Sequence, residues 1–272
     1  MRKLLLASSA LVFAGPAFAA DLPARMPVKA APVVAAVPFT WTGCYVGGHV
    51  GAGWDRTVFS DPGNLSPGLL GPPSIQQSLA PVGATIGVNS PAGVVGGVQA
   101  GCDYQFAGNW VVGVGGDFAG SDIHGLANDP FFVGKNGGPV PIRTRTNEIA
   151  SLTGRVGYAW DHVLLYGKGG GAWAHNNYSI LNLNCALFAT CNLTGSTDRT
   201  GWTAGVGLEW AFADHWSALV EYDHYGFGSK GVTFFDPVNV LTRVYNVKQD
   251  VDVVKVGINY RFWSAAPVVA RY

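Results

Sequence analysis

The chain has 272 residues, of which 38 are Gly and 12% aromatic, while Asp, Glu, Lys and Arg together reach only 12%, roughly half the usual share. Few charges beside many aromatics exclude a disordered chain, and glycines without a G-X-Y period exclude collagen. The balance of 17 basic and 17 acidic residues leaves no basic footprint, so no nucleic-acid partner is expected.

In chain order, residues 1–19 read as a signal peptide. Arg2 and Lys3 form the basic start, 4–15 the apolar core and Ala17-Phe18-Ala19 the cleavage site. Residues 20–40 are rich in Ala, Pro and Val. Pro23, Pro27, Pro32 and Pro38 forbid helix and ladder strand, so a semi-extended periplasmic linker is expected. Residues 41–272 read as the folded domain. They contain runs alternating in side-chain character at 43–54, 92–106, 110–120, 147–160, 163–175, 199–212, 216–228 and 250–262, each a strand signal. Three connections are tight: Ala107-Gly108-Asn109, Asp161-His162 and Ala213-Asp214-His215. They alternate with long ones at 55–91, 121–146, 176–198 and 229–249, expected to be loops.

Tight turns on one side and long loops on the other predict an all-β fold. It is an eight-stranded antiparallel up-and-down transmembrane barrel with short periplasmic turns and long extracellular loops. Side-chain parity supports lipid rather than water outside. In 199–212 one face carries Trp202, Val206, Leu208, Trp210 and Phe212, the other Arg199, Thr203, Gly205, Gly207 and Glu209. Aromatics gather beside the tight turns (Tyr104, Phe106, Trp110, Tyr158, Trp160, Trp216, Tyr260, Phe262), as in an interfacial girdle. The same parity sends Asp103, Asp117, Glu209, Glu221 and Asp223 into the lumen with Arg155, Lys168, Lys255 and Arg261, where they are expected to pair. Eight strands leave an interior that side chains just fill, so a plugged barrel is expected, with a water-filled gap as the alternative.

Residues 41–54 (WTGCYVGGHVGAGW) resemble the first strand of opacity-type outer-membrane β-barrels. With the linker, 96–118 (GGVQAGCDYQFAGNWVVGVGGDF) and 254–262 (VKVGINYRF), they resemble the major surface-protein group of Brucella and rhizobia. The resemblance covers about 20–120 and 147–272 and leaves the long loops unmatched. It implies an eight-stranded barrel in a Gram-negative outer membrane, serving envelope integrity and contact with a host or surface ligand. Lys255, Gly257, Tyr260 and Phe262 resemble the terminal-strand signal read by barrel assembly machinery. Cys44 and Cys102 depart from the family, which carries aromatic or aliphatic residues there.

Four cysteines in an exported chain suit disulfides. Cys185 and Cys191 bracket a short loop segment, where a bridge competes with two free thiols. If 54 pairs with 92, Cys44 lies opposite Cys102 on the lipid face, within reach of a cross-strand bridge. No metal ligands are expected, since C-x-x-C spacing is absent. Gly167-Lys168-Gly169-Gly170-Gly171 lacks the following Ser/Thr and helix of a phosphate loop. His162 and His215 follow Asp in turns. Glu221 and Asp223 suit a luminal ion network better than a catalytic pair. No catalytic residue or cofactor is therefore expected, and the chain reads as a structural and surface protein. A small porin and an adhesin or haem-type receptor are the alternatives. Outer-membrane lipid and lipopolysaccharide are the expected surroundings. Phe131, Phe132, Arg143 and Arg145 in the second long connection read first as loops packing on one another, with contact to a ligand or to lipopolysaccharide phosphates as the alternative.

Overall fold

The computed structural model describes residues 39–60, 83–133, 138–184, 190–238 and 241–262; side chains of 130–133, 183–184 and 241 are not described. The expected signal peptide and linker up to 38, the tail 263–272, Phe131, Phe132 and Cys185 thus lie outside the described side chains. Among the described residues the strands are β1 (Gly43–Ser60), β2 (Thr85–Asn89), β3 (Gly93–Phe106), β4 (Trp110–Val133), β5 (Pro139–Trp160), β6 (Val163–Asn184), β7 (Thr190–Ala213), β8 (Trp216–Asp236) and β9 (Leu241–Arg261). All pairing is antiparallel in chain order, and β1 also pairs with β9, which closes the ring. Both β2 and β3 run antiparallel to β1 on the same side of it, one along its upper part and one along its lower part. They are one strand position interrupted at 90–92, where Pro91 has no N–H for a ladder. Nine strands therefore make a ring of eight positions.

The tight turns lie where the sequence reading put them. Trp160 pairs with Val163 around Asp161-His162, and Phe106 with Trp110 around a turn whose Gly108 has φ 81°, a backbone region open to glycine. The long loops do not. Most of 121–146, 176–198 and 229–249 is strand, as are both ends of 55–91. The barrel is roughly twice as tall as the alternating runs suggested.

The runs stop at a waist, and the waist has a physical basis. β2 breaks from β3 at 90–92, register slips lie between Gly120 and Ile123, Thr146 and Glu148, and Gly226 and Ser229, and β7 pairs with no β8 residue between Thr194 and Trp202. These irregularities lie at one height around the ring. Below the waist, residues 43–54, 93–106, 110–120, 147–160, 163–175, 199–213, 216–228 and 250–261 form a belt with Val46, Val98, Val114, Leu152, Val206 and Ile258 exposed outside. Above it the sense inverts. Phe59, Ile142, Ile180, Leu193, Phe234 and Val247 form an apolar core inside, while Arg56, Asp122, Arg143, Arg145, Lys230 and Lys248 are exposed outside. The upper half, here the stem, is built like a water-soluble barrel and the belt like a lipid-embedded one.

Aromatics mark both edges of the belt. Exposed Phe106, Trp110, Trp160, Trp210, Phe212 and Trp216 ring the periplasmic edge, and Trp54, Phe118, Trp173 and Trp202 the upper edge. From Trp210 to Trp202 the rise is about 20 Å at ordinary strand spacing and tilt, which with the indole rings matches an apolar band of ~25 Å.

Candidate functional site: the lumen and its layers

The chain enters the barrel by closing its periplasmic mouth. Trp41 is fully buried, its backbone N–H donates to Gln105 Oε1 (2.8 Å), and its indole donates to the Asp161 carbonyl (2.9 Å). Phe39 stacks on His162 with ring centroids 4.6 Å apart. Above Trp41 the polar parity of β3, β5, β7 and β9 converges on four charges. Arg155 grips Asp103 through two guanidinium nitrogens and reaches Glu209 Oε2 at 3.2 Å. Arg261 contacts Asp103 and Glu209 at 3.0 Å each. Ser217 and Asn259 donate further hydrogen bonds to Glu209 (2.6 and 3.0 Å), and the Arg155 guanidinium lies over the Tyr45 and Tyr166 rings at 4.7 and 5.0 Å. Two bases thus face two acids, with most remaining lone pairs and faces occupied. Buried ions are stable in that condition and not otherwise.

A second cluster lies beside the first. Lys168 reaches Glu221 and Asp223 at 2.6 and 3.0 Å, Lys255 reaches the same two at 2.8 and 2.9 Å, and Asp117 stands 3.7 and 3.6 Å from the two ammonium groups. Tyr166 Oη donates to Glu221 at 2.6 Å. All nine charges expected in the lumen are therefore inside, divided into these two clusters. Glycines make the room: a Cβ on Gly207 would meet the Tyr166 ring, and one on Gly113 the Asp103 carboxylate. A cavity of ≈ 30 Å³ between Tyr45, Gln99, Asp117, Arg155, Lys168 and Lys255 has space for about one water.

Above the charges lies an apolar layer that includes Val95, Ile123, Ile149, Phe227, Val251 and Val253. At the waist follows a polar layer centred on Asp55, just above the belt. Ser90 donates to Asp55 Oδ1 at 2.7 Å, Gln249 Nε2 to Oδ2 at 3.2 Å, and Thr146 links to Asn176 at 2.8 Å. Burial pushes the Asp55 carboxyl above its ordinary range, against the pull of the hydrogen bonds from Ser90 and Gln249. Arg199 is buried nearby at the waist, donating to the Gly228 and Val247 carbonyls (2.9 and 2.5 Å) and to Tyr178 Oη (3.4 Å). Burial likewise pushes the Tyr178 phenol up, and the Arg199 charge opposes it. The stem core closes the sequence of layers. Asp55 and Arg199 were not among the charges named for the lumen, although Arg199 already stood on the polar face of 199–212; Asp55 continues the inward face of β1 and parity carried one residue further would have included it.

Cys44 and Cys102 are directly paired across β1 and β3 and bonded (S–S 2.05 Å), on the outward face of the belt. The register is the one the pairing of 54 with 92 requires. Cys191 is disulfide-bonded, and no described cysteine is free. At the chain's last strand, Lys255 joins the charge cluster while Tyr260 and Phe262 face outward. His215 Nδ1 donates to the Arg261 carbonyl (2.9 Å), and His162 pairs with Asp161 (2.7 Å).

A sheet closed on itself, apolar outside and charged inside over a lipid-sized band, defines a membrane-spanning β-barrel. The family model described as Outer membrane protein beta-barrel domain matches residues 5–262, and the chain belongs to that family of outer-membrane proteins. It is 31% identical over 264 residues to the 31 kDa outer-membrane immunogenic protein of Brucella melitensis biotype 1, covering 96% of this chain and 100% of that one. It is 30% identical over 263 residues to the 25 kDa outer-membrane immunogenic protein of Brucella abortus biovar 1, covering 96% and 99%. Among solved structures it is similar to the outer membrane protease OmpT from Escherichia coli (TM-score 0.49, 9% identity, covering 83% and 99%). It is also similar to the outer membrane protein OprG from Pseudomonas aeruginosa (TM-score 0.41, 12% identity, covering 82% and 99%).

Proposed function

We propose that the protein is a non-conducting, non-enzymatic outer-membrane barrel that reinforces the envelope and presents its upper connections on a rigid stem. The layered filling of the lumen carries this reading. From the Trp41 cap to the stem core, paired charges alternate with packed apolar side chains, and the cavity at the charge clusters is sized for about one water. The stem adds height. From Arg199 to Thr190 at the top of β7 the strand rises roughly 20 Å, so the described strand ends stand clear of the headgroups. Surface relatives with immunogenic names fit a protein whose upper end is displayed.

Planar-bilayer recording of the refolded full chain tests this against the small-pore alternative. Wild type is expected to be silent. Arg155→Ala, which unpairs part of the Asp103–Glu209 cluster and opens space beside the cavity, is recorded alongside. Steady unitary conductance from wild type would overturn the proposal in favour of a pore.

A further inference from the structure

We propose that the outer wall of the stem carries a binding groove for the phosphorylated sugars of an outer-leaflet glycolipid. The inference stands apart from the question of conductance. A groove of ≈ 1110 Å³ crosses the outward faces of β4 to β8. A convex barrel wall does not ordinarily form one. Here the slips beside Gly120 and Thr146 and the unpaired stretch of β7 and β8 above Trp202 all lie at its lower edge, and such irregularities bend strands locally.

The lining has two chemical parts. Arg143 and Arg145 project side by side from β5, with His124 on β4. Asp122 pairs with Arg145 at 3.0 Å and stands 3.8 Å from His124, while Arg143 has no carboxylate partner among the described residues. The groove thus keeps at least one unneutralised guanidinium, a group shaped for bidentate phosphate binding. Asn177, Ser179, Thr194, Ser196 and Thr233 supply neutral hydrogen-bonding groups, as sugar hydroxyls require.

Height selects the occupant. Asp122 lies four residues above Phe118 of the upper girdle and Asn177 four above Trp173, about 10 Å along the membrane normal. The phosphates of ordinary phospholipids lie within ~5–8 Å of the hydrocarbon edge and end below the groove. The phosphorylated sugars of a large glycolipid, anchored by acyl chains at the belt, extend into it.

The test is native mass spectrometry of the full chain released from micelles containing rough-type lipopolysaccharide, meaning lipid A with its phosphorylated inner-core sugars. Wild type is expected to retain the glycolipid, and R143A/R145A to lose at least tenfold in apparent affinity. R143K/R145K should lie between the two. Ser196→Trp, which fills the groove without changing charge, should also lose binding. Heat-modifiable gel migration verifies that each variant folds. Equal retention by wild type, R143A/R145A and Ser196→Trp would overturn the proposal. So would equal binding of enzymatically dephosphorylated glycolipid, competition by millimolar inorganic phosphate as strong as by the glycolipid, or a protein dimer lost in the variants.

Discussion

Asp55 and Arg199 bring opposite charges into neighbouring parts of the interior yet form no ion pair with each other; each is held by neutral groups, Asp55 by Ser90 and Gln249 and Arg199 by backbone carbonyls. The cost falls on Asp55, whose folded-state carboxyl is pushed up by burial. A raised folded pKa means that the folded state prefers the protonated acid. The favourable contribution is full below the unfolded pKa and lost as pH rises through the folded one. Asp55→Asn supplies a permanent neutral group whose amide can also donate to Gln249 Oε1, a buried atom without a hydrogen-bond partner. The variant should therefore gain about 1 kcal/mol at pH 7, the size of one net hydrogen bond. The gain should vanish below the ordinary aspartate range. Urea midpoints in micelles at several pH values measure it, and a gain that grows on acidification would contradict the account.

At the level of the strand, Asn147 does a specific job. Below it β5 faces inward with odd residues, Ile149, Ser151, Thr153 and Arg155; above it with even ones, Thr146, Thr144 and Ile142. The extra residue absorbs this one-residue shift in parity, so both halves keep their faces as the strand crosses the waist. Deleting Asn147 leaves Thr146 and Ile149 two residues apart, which regular pleating puts on the same face. The variant should therefore fold with Arg155 still in the charge cluster, Arg143 and Arg145 outside and Ile142 inside, losing only the local bend. Heat-modifiable migration and a tryptic pattern like those of wild type are expected; new cleavage at Arg143 and Arg145 would contradict the account.

The same slip explains what the sequence concealed. The belt was readable because its lipid face repeats one pattern: Trp202, Val206, Leu208 and Trp210 against Thr203, Gly205 and Glu209 form a period-2 signal that is apolar on the outside. Parity gave which charges face the lumen but not their partners, and the Cys44–Cys102 register needed the further premise that 54 pairs with 92. The stem alternates just as strictly, with Ile142, Thr144 and Thr146 against Arg143 and Arg145, but with polarity reversed and, in β5 and β8, parity displaced by one. A reading tuned to apolar residues facing lipid took those charges for loop. Arg199 stands at that same boundary. The groove on the stem was beyond reach because it depends on where several strands bend together.

For the whole molecule, ring closure by β1 and β9 and the β1–β3 bridge act on different states. The unboiled barrel should migrate faster on a gel than the boiled chain. Reduction should alter only the boiled form, because the bridge spans a sequence separation of 58 residues that the folded ladder already holds in register. A mobility change of the unboiled form on reduction would mean that the ladder depends on the bridge.

The inverted polarity above the waist also sets an order of events in biogenesis. The outer face of the stem bears Arg56, Asp122, Arg143, Arg145, Lys230 and Lys248, and moving such charges through hydrocarbon costs several kcal/mol each near the midplane. The finished lumen, packed from Trp41 upward, offers no alternative route. The stem must therefore reach the cell exterior while the seam between the first and last strands is still open. Once that seam zips, the molecule is locked in place by its own shape: a charged head too polar to be drawn back through lipid, on a shank too full to let it slip through the middle.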